Sequence, residues 1–149
     1  MVRLDVITTD EPCCSALDAL KAYAAVSDPG QELLLSMALK RAFSEVQRYA
    51  DVALLPGRYR VTAEDHPGIV NVYMGGKAVS AKDSLGLPVR YEQRGYKVYV
   101  GTDGVVEVEF ITEVNEADYE RLLPVVLRYA TAVYDGKSRG ELSQILKEC

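Results

Sequence analysis

The chain has 149 residues and one histidine, which stands in Glu64-Asp65-His66-Pro67-Gly68. Acid, imidazole and a rigid bend are the parts of a general base with an orienting carboxylate. Hydrolysis also needs a nucleophile within hydrogen-bond reach and donors for the developing oxyanion. No Gly-x-Ser-x-Gly elbow accompanies this histidine, so His66 is read as an exposed turn residue. Met74-Gly75-Gly76-Lys77 invites comparison with a phosphate loop, which needs a longer glycine pattern, Lys followed by Ser or Thr, and then a helix. Here Lys77 leads into Ala78 and β-like sequence, and a hairpin turn is expected instead. Glu107-Val108-Glu109 places two carboxylates on one face of a strand. Without histidines or further converging acids they make no metal site. Adjacent Cys13 and Cys14 sit too close for an ordinary disulfide, and Cys149 supplies no second ligand pair. These thiols are read as structural or incidental. The residues predict no catalytic, cofactor or metal site.

Aromatic residues carry more information. Ten tyrosines accompany two phenylalanines and no tryptophan, and tyrosine suits interface edges, where its ring is covered and its hydroxyl stays satisfied. Tyr91, Tyr96 and Tyr99, with Arg90, Arg94 and Lys97, have the composition of a nucleic-acid stacking sheet. On a regular strand, however, Tyr96 and Tyr99 have opposite parity. Core and interface use is the simpler reading, and a small nucleic-acid-binding protein is the alternative. A small enzyme ranks below both. The net charge of -5 opposes tight binding to a phosphate backbone. Charge is also uneven: Asp103, Glu107, Glu109, Glu113, Glu116, Asp118 and Glu120 run without a base, whereas Arg121, Arg128, Lys137, Arg139 and Lys147 follow. Solvated faces are the plain reading. Subunits meeting through faces of opposite sign are the sharper one, with Tyr91, Arg94, Tyr96, Glu107 and Glu109 as candidate inter-subunit residues.

A 48% hydrophobic content and 26% charged residues fit one soluble domain with a real core. No apolar run is long enough to span a membrane, and the opening MVRLDVITTDEP lacks a signal-peptide segment, so a cytosolic folding compartment is expected. Residues 1–14 read as an N-terminal arm or brief strand. A first helix begins near Ser15, a cap with Asp18 three residues on, and carries Leu17, Leu20 and Ala24 with Tyr23 beside them. Ser27-Asp28-Pro29-Gly30 stops it. A second helix over about 29–53 starts with Asp28 as cap and Pro29 at its first position. Leu35, Leu39, Ala42, Val46, Tyr49 and Ala53 form its stripe, widened by Leu34, Ala38 and Phe43. It spans about 37 Å.

From Arg58 to Thr112 the period turns strand-like. The segments are Tyr59–Ala63, Ile69–Tyr73, Lys77–Val79, and a hairpin of Leu87–Tyr91 with Tyr96–Val100 around Gln93-Arg94-Gly95. Asp103-Gly104 is a reversal signal, and Val105–Ile111 completes a meander. Helical spacing returns at Asn115 and runs to Asp135-Gly136, with Pro124 either kinking the helix or marking its true start. Ser138 and Glu141 then form a capping-box pattern before Leu142, Ile145 and Leu146. The expected class is α+β: a predominantly helical bundle with a small antiparallel β-meander inserted between the N-terminal helices and the last long helix.

That order, with Leu17-Asp18-Ala19-Leu20-Lys21-Ala22-Tyr23, the Ala42–Tyr49 stretch and Leu127-Arg128-Tyr129-Ala130-Thr131-Ala132-Val133-Tyr134, resembles the head–tail connector, or adaptor, family of tailed bacteriophages and related gene transfer particles. The likeness covers about residues 15–135. It implies a single connector domain over 1–149, forming a homo-oligomeric ring, commonly a dodecamer, beneath the portal protein. Such a ring is a structural virion component at the head–tail junction, made in the host bacterial cytoplasm. It extends the channel for passive passage of double-stranded DNA and docks a stopper or tail-completion protein, with no cofactor and no membrane. The resemblance also implies portal docking by the C-terminal segment 138–149, with Arg139, Leu142, Ile145, Leu146 and Lys147 as candidates. Too short to fold alone, that segment gains most by docking its apolar side chains.

Overall fold

The computed structural model describes residues 2–26 and 28–149. Ser27 of the expected helix stop and Met1 of the expected arm lie outside the described residues. The described residues form two compact units. One contains the strands (residues 2–10 and 55–114), and the other contains the helices (11–54 and 115–149).

The helical unit holds α1 (Cys14–Ala24), α2 (Glu32–Ala50), α3 (Glu116–Tyr134) and α4 (Arg139–Leu146). Its core is built from Ala16 and Leu20 of α1, Leu35, Leu39, Ala42, Phe43 and Val46 of α2, and Leu122, Val126 and Ala130 of α3, all buried; Leu17 and Ala24, expected beside Leu20, are only half-buried. Phe43 stacks on Tyr119 with ring centroids 5.9 Å apart. Several local details differ from the sequence reading. Cys13, not Ser15, is the N-cap of α1, and no side chain bonds its free amides there. Asp28 caps a single 3₁₀ turn, Pro29–Gln31, through its side chain, and α2 starts only after it. α2 ends at Ala50 because Asp51 turns left-handed at φ 55°, which shortens the helix to about 28 Å. Leu34 and Tyr49, expected in the buried face, are exposed: the apolar stripe is wider than the surface its neighbours cover.

Pro124 neither starts nor ends α3. Asn115 caps the helix, its Oδ1 accepting the N–H groups of Ala117 and Asp118, and α3 continues through the proline. Pro124 has no N–H for the carbonyl of Glu120. Buried Leu122, Val125 and Val126 on either side offset that loss. Ser138 caps α4, with its Oγ accepting the N–H of Glu141 at 3.3 Å, as the capping-box spacing predicts.

The strand unit holds β1 (Val2–Thr9), β2 (Gly57–Ala63), β3 (Ile69–Asn71), β4 (Lys77–Asp83), β5 (Tyr91–Arg94), β6 (Lys97–Val100) and β7 (Val106–Thr112). The mixed α+β class and the antiparallel strand block are as expected, but the meander order is not. Two sheets form, β1-β2-β7-β4 and β3-β6-β5, and among the strands of residues 57–112 only β5 and β6 pair as sequence neighbours. β7 lies between β2 and β4 because its alternation matches β2 residue for residue: Tyr59 opposes Phe110, Val61 opposes Val108 and Ala63 opposes Val106. All six are buried, and Tyr59 stacks on Phe110 at 5.4 Å. Residues 2–9 are a strand paired along β2, which decides between the two readings of that stretch. Residues 87–90 belong to the loop before β5 rather than to the hairpin strand.

Candidate functional site

His66 and Gly76, the centres of the two motifs that invite a catalytic reading, are engaged structurally. The Nε2 of His66 lies 2.6 Å from the carbonyl oxygen of Gly104, and Nδ1 accepts the N–H of Gly68 at 3.1 Å. This pattern assigns the proton to Nε2. Half-buried rather than exposed, the ring staples two loops and leaves no nitrogen for a substrate. The Gly75-Gly76 turn leads into β4, as expected. A side chain at Gly76 would bring its Cβ within 2.2 Å of the Phe110 ring, so this glycine serves packing. Among the described residues, no group of three or more His, Cys, Asp or Glu side chains is placed to hold a metal.

Glu107 and Glu109 share the outer face of the four-stranded sheet with Arg58 and Arg60. Glu109 accepts two hydrogen bonds from Arg58, at 2.6 and 3.0 Å, and one from Arg60 at 3.4 Å. The Arg58 hydrogen bonds hold the Glu109 carboxyl below the usual carboxylate range, against the opposing effect of burial. Glu107 lies 3.9 Å from Arg60. This pair of acids, proposed by sequence for contacts between subunits, is therefore engaged within its own sheet.

The hairpin residues are on the surface. Glu92, Arg94, Lys97 and Tyr99 share one face of the three-stranded sheet, because Glu92 opposes Tyr99 and Arg94 opposes Lys97. Arg94 lies over the Tyr99 ring at 5.4 Å and Lys97 over Tyr96 at 5.7 Å. Tyr96 is in the turn, so the strand parity invoked against joint stacking does not govern it. Tyr91 projects from the opposite face, beside Val98 and Val100. Shallow depressions of about 420 and 520 Å³ flank the hairpin. This surface suits contact with another macromolecule rather than enclosure of a small substrate.

α4 packs on α3. Leu142 is buried there, Ile145 and Leu146 are half-buried, and Arg139 and Lys147 are exposed. Glu148 is ion-paired with Arg128 of α3. The C-terminal segment is thus an ordered helix in which Leu142, one of the three apolar residues expected to dock on a partner, faces its own unit.

The sequence reading missed three features. Cys13 Sγ is 2.9 Å from Ser15 Oγ and 4.0 Å from Tyr119 Oη. The Ser15 bond and the Ala16 amide lower its pKa, whereas burial pushes Tyr119 up to about 12. Gln93 was treated only as a turn residue, yet it clamps β4, and Ser-Leu-Gly-Leu-Pro between β4 and β5 is a rigid apolar tip. Asp83 ahead of that Gly-Leu-Pro segment was the available signal for the tip; nothing local signalled the clamp.

No protein-family model matches the chain, and no curated protein matches it. Solved structures do. A chain from the neck of an empty GTA particle computed with C6 symmetry aligns at a TM-score of 0.66 and 14% identity, over 98% of this chain and 94% of that one. A chain from the virion of a native gene transfer agent (GTA) particle gives 0.64 at 14% identity, over 97% and 93%. The fold is that of gene transfer agent particle chains. A third match, from the neck of a native GTA particle computed with C12 symmetry, gives 0.52 at 16% identity over 87% and 84%. The resemblance to head–tail connector proteins is borne out at the level of fold.

Proposed function

We propose that this chain is a structural, non-enzymatic subunit of the neck of a tailed virion or gene transfer particle. Copies assemble into a ring at the head–tail junction, beneath the portal, extending the DNA channel and receiving a stopper or tail-completion protein. One observation carries this reading: nearly the whole chain superimposes on nearly the whole of a particle neck chain. Both nitrogens of its one histidine bond backbone groups, which agrees with a structural role. A dodecamer is the proposed ring size. Double-stranded DNA passes without sequence reading, and the net charge of -5 favours sliding over attachment.

Portal docking is assigned to α4, with Arg139, Ile145, Leu146 and Lys147 facing the portal and Leu142 fixing the helix to its own unit. Exposed ion pairs contribute only about 0–1 kcal/mol each, so Ile145 and Leu146 supply most of the attachment. The test is deletion of the gene in the producing particle system, with complementation by the full chain and by a chain lacking residues 138–149. Deletion is expected to yield DNA-filled heads without tails, and reconstruction of complemented particles to place the full chain as a ring at the neck. Complemented particles that lack the chain would overturn the role. Normal attachment by a folded truncated chain would overturn the docking assignment alone.

A further inference from the structure

β1 is one edge of the four-stranded sheet, and its outer side is bare. The strand pairs with β2, and among the described residues no backbone bond joins residues 2–9 to any other segment. The opposite edge, β4, is covered by the loop that follows it, where Val89 donates its N–H to Ala81 and Asp83 donates to Leu87. An uncovered edge carries a row of unpaired N–H and C=O groups, which is a template for one more strand. Bulges and charges commonly blunt such edges. In β1 the register shift falls between Val6 and Thr8, so the segment Val2-Arg3-Leu4-Asp5-Val6 ahead of it pairs regularly.

The charges on that segment do not exclude a partner; they select one. Arg3 and Asp5 lie on the outer face, opposite Thr62 and Arg60, and bond each other at 3.0 Å. Val2, Leu4 and Val6 lie on the other face, opposite Ala63, Val61 and Tyr59. Those three β2 residues are buried, whereas Val2 remains 54% exposed and Val6 50%, because the sheet ends at β1. The order is apolar, basic, apolar, acidic, apolar, which is complementary to itself when reversed. Laid antiparallel to a second copy with Leu4 opposite Leu4, the strand sets Val2 against Val6 and Arg3 against Asp5, each pair occurring twice. Other registers fail. A slip of one residue turns the apolar face of one copy to the charged face of the other. A slip of two opposes Arg3 to Arg3 or Asp5 to Asp5, and a parallel in-register pair aligns like charges as well, which is destabilising.

We infer that β1 pairs with β1 of a second copy, antiparallel about Leu4, and joins two sheets edge to edge. Main-chain hydrogen bonds supply the contact, and the side chains fix its register. A two-fold contact uses the same surface on both copies and closes at two. It therefore describes the chain outside the particle and does not depend on the ring reading. Closure also leaves no β1 edge open to further strands. A pair this short belongs among the small, transient interfaces, so the dimer forms reversibly and grows with concentration.

The test is sedimentation of the purified full chain over a concentration series, with native mass spectrometry of the same samples. A monomer–dimer equilibrium is expected, and a chain that stays monomeric to its solubility limit would overturn the contact. Arg3→Glu opposes acid to acid across the dimer and Asp5→Arg opposes base to base. Each is expected to weaken dimerisation by at least about tenfold, since two pairs change sign together. Mixed, the two variants are expected to recover a 1:1 dimer, because every charged pair across the contact is again of opposite sign. Wild-type dimerisation by either variant, or no pairing between the two when their melts show both folded, would overturn the contact. A second arm holds whatever those variants do to folding. The photo-crosslinking residue p-benzoylphenylalanine replaces exposed Val2 in the otherwise unchanged chain, and the expected link joins it to residues 4–8 of a second copy. A link to any other segment would overturn the register and the contact with it.

Discussion

The side-chain oxygen of Gln93 accepts the backbone N–H of Ala78 at 2.7 Å. The same amide donates through Nε2 to the carbonyls of Gly76 and Gly95, both at 2.8 Å. A side chain on β5 thus does the work of a missing strand along the outer edge of β4, beside the register shift between Ala78 and Ser80. Farther along that edge, Val89 donates its N–H to Ala81 and Asp83 donates to Leu87. The covered edge resists pairing with foreign strands.

Gln93→Leu removes all three bonds while keeping side-chain volume. At about 1 kcal/mol per bond, we expect a loss of about 2–3 kcal/mol in stability, measured by denaturant unfolding. Gln93→Glu keeps the acceptor for Ala78 and loses both donors, so it should fall at least as far. An unchanged midpoint for Gln93→Leu would show that the clamp contributes nothing.

Gly76→Ala is expected to destabilise by about 1–3 kcal/mol, because its methyl group would lie 2.2 Å from the Phe110 ring. Phe110→Leu should partly rescue it by freeing that space. Thermal melts of the two single variants and the double variant give the coupling directly.

Acid should weaken the protein through Glu109. Its folded pKa is depressed chiefly by the hydrogen bonds from Arg58, so the folded state holds the charged carboxylate more firmly than the unfolded chain does. The stabilisation is present above the ordinary carboxylate range and disappears as pH falls through the lowered folded value. Arg58→Gln should lose stability at pH 6 and converge on the wild type near pH 2. Equal differences at both values would contradict this assignment.

The Cys13 thiol should react faster than that of Cys149. Its pKa is lowered, mainly by Ser15, while burial raises that of Cys149. Because the thiolate is the nucleophile, iodoacetamide at pH 7.5 should label Cys13 several-fold faster than Cys149, and Ser15→Ala should slow Cys13. Peptide mass spectrometry over a time course measures both rates.

Long periodic segments were legible in the sequence. Leu35, Leu39, Ala42 and Val46 of the α2 stripe and the Asn115 and Ser138 caps stand where spacing put them, because each is fixed by neighbours within one or two turns. Strand order was not legible, since β7 is placed by matching Val106, Val108 and Phe110 against residues some fifty positions earlier in the chain. The roles of His66 and Gln93 were equally hidden: their partners are backbone atoms, which carry no signature in side-chain type. Leu34 and Tyr49 were misplaced because apolar character marks what is able to be buried, whereas the available neighbours decide what is buried.

Each unit is interrupted in sequence by the other, and this sets the timetable of synthesis. β1 leaves the ribosome with residue 9, its partner β2 is complete at residue 63, and β7, the strand that joins β2 to β4, only at residue 112. α2 waits for α3 until residue 134. Most pairings of high sequence separation therefore form after nearly the whole polypeptide has emerged, and such pairings are slow to find. A nascent chain stalled between residues 63 and 106 presents a seven-residue β2 edge with no β7 to cover it. The newly made chain is most exposed to aggregation during translation.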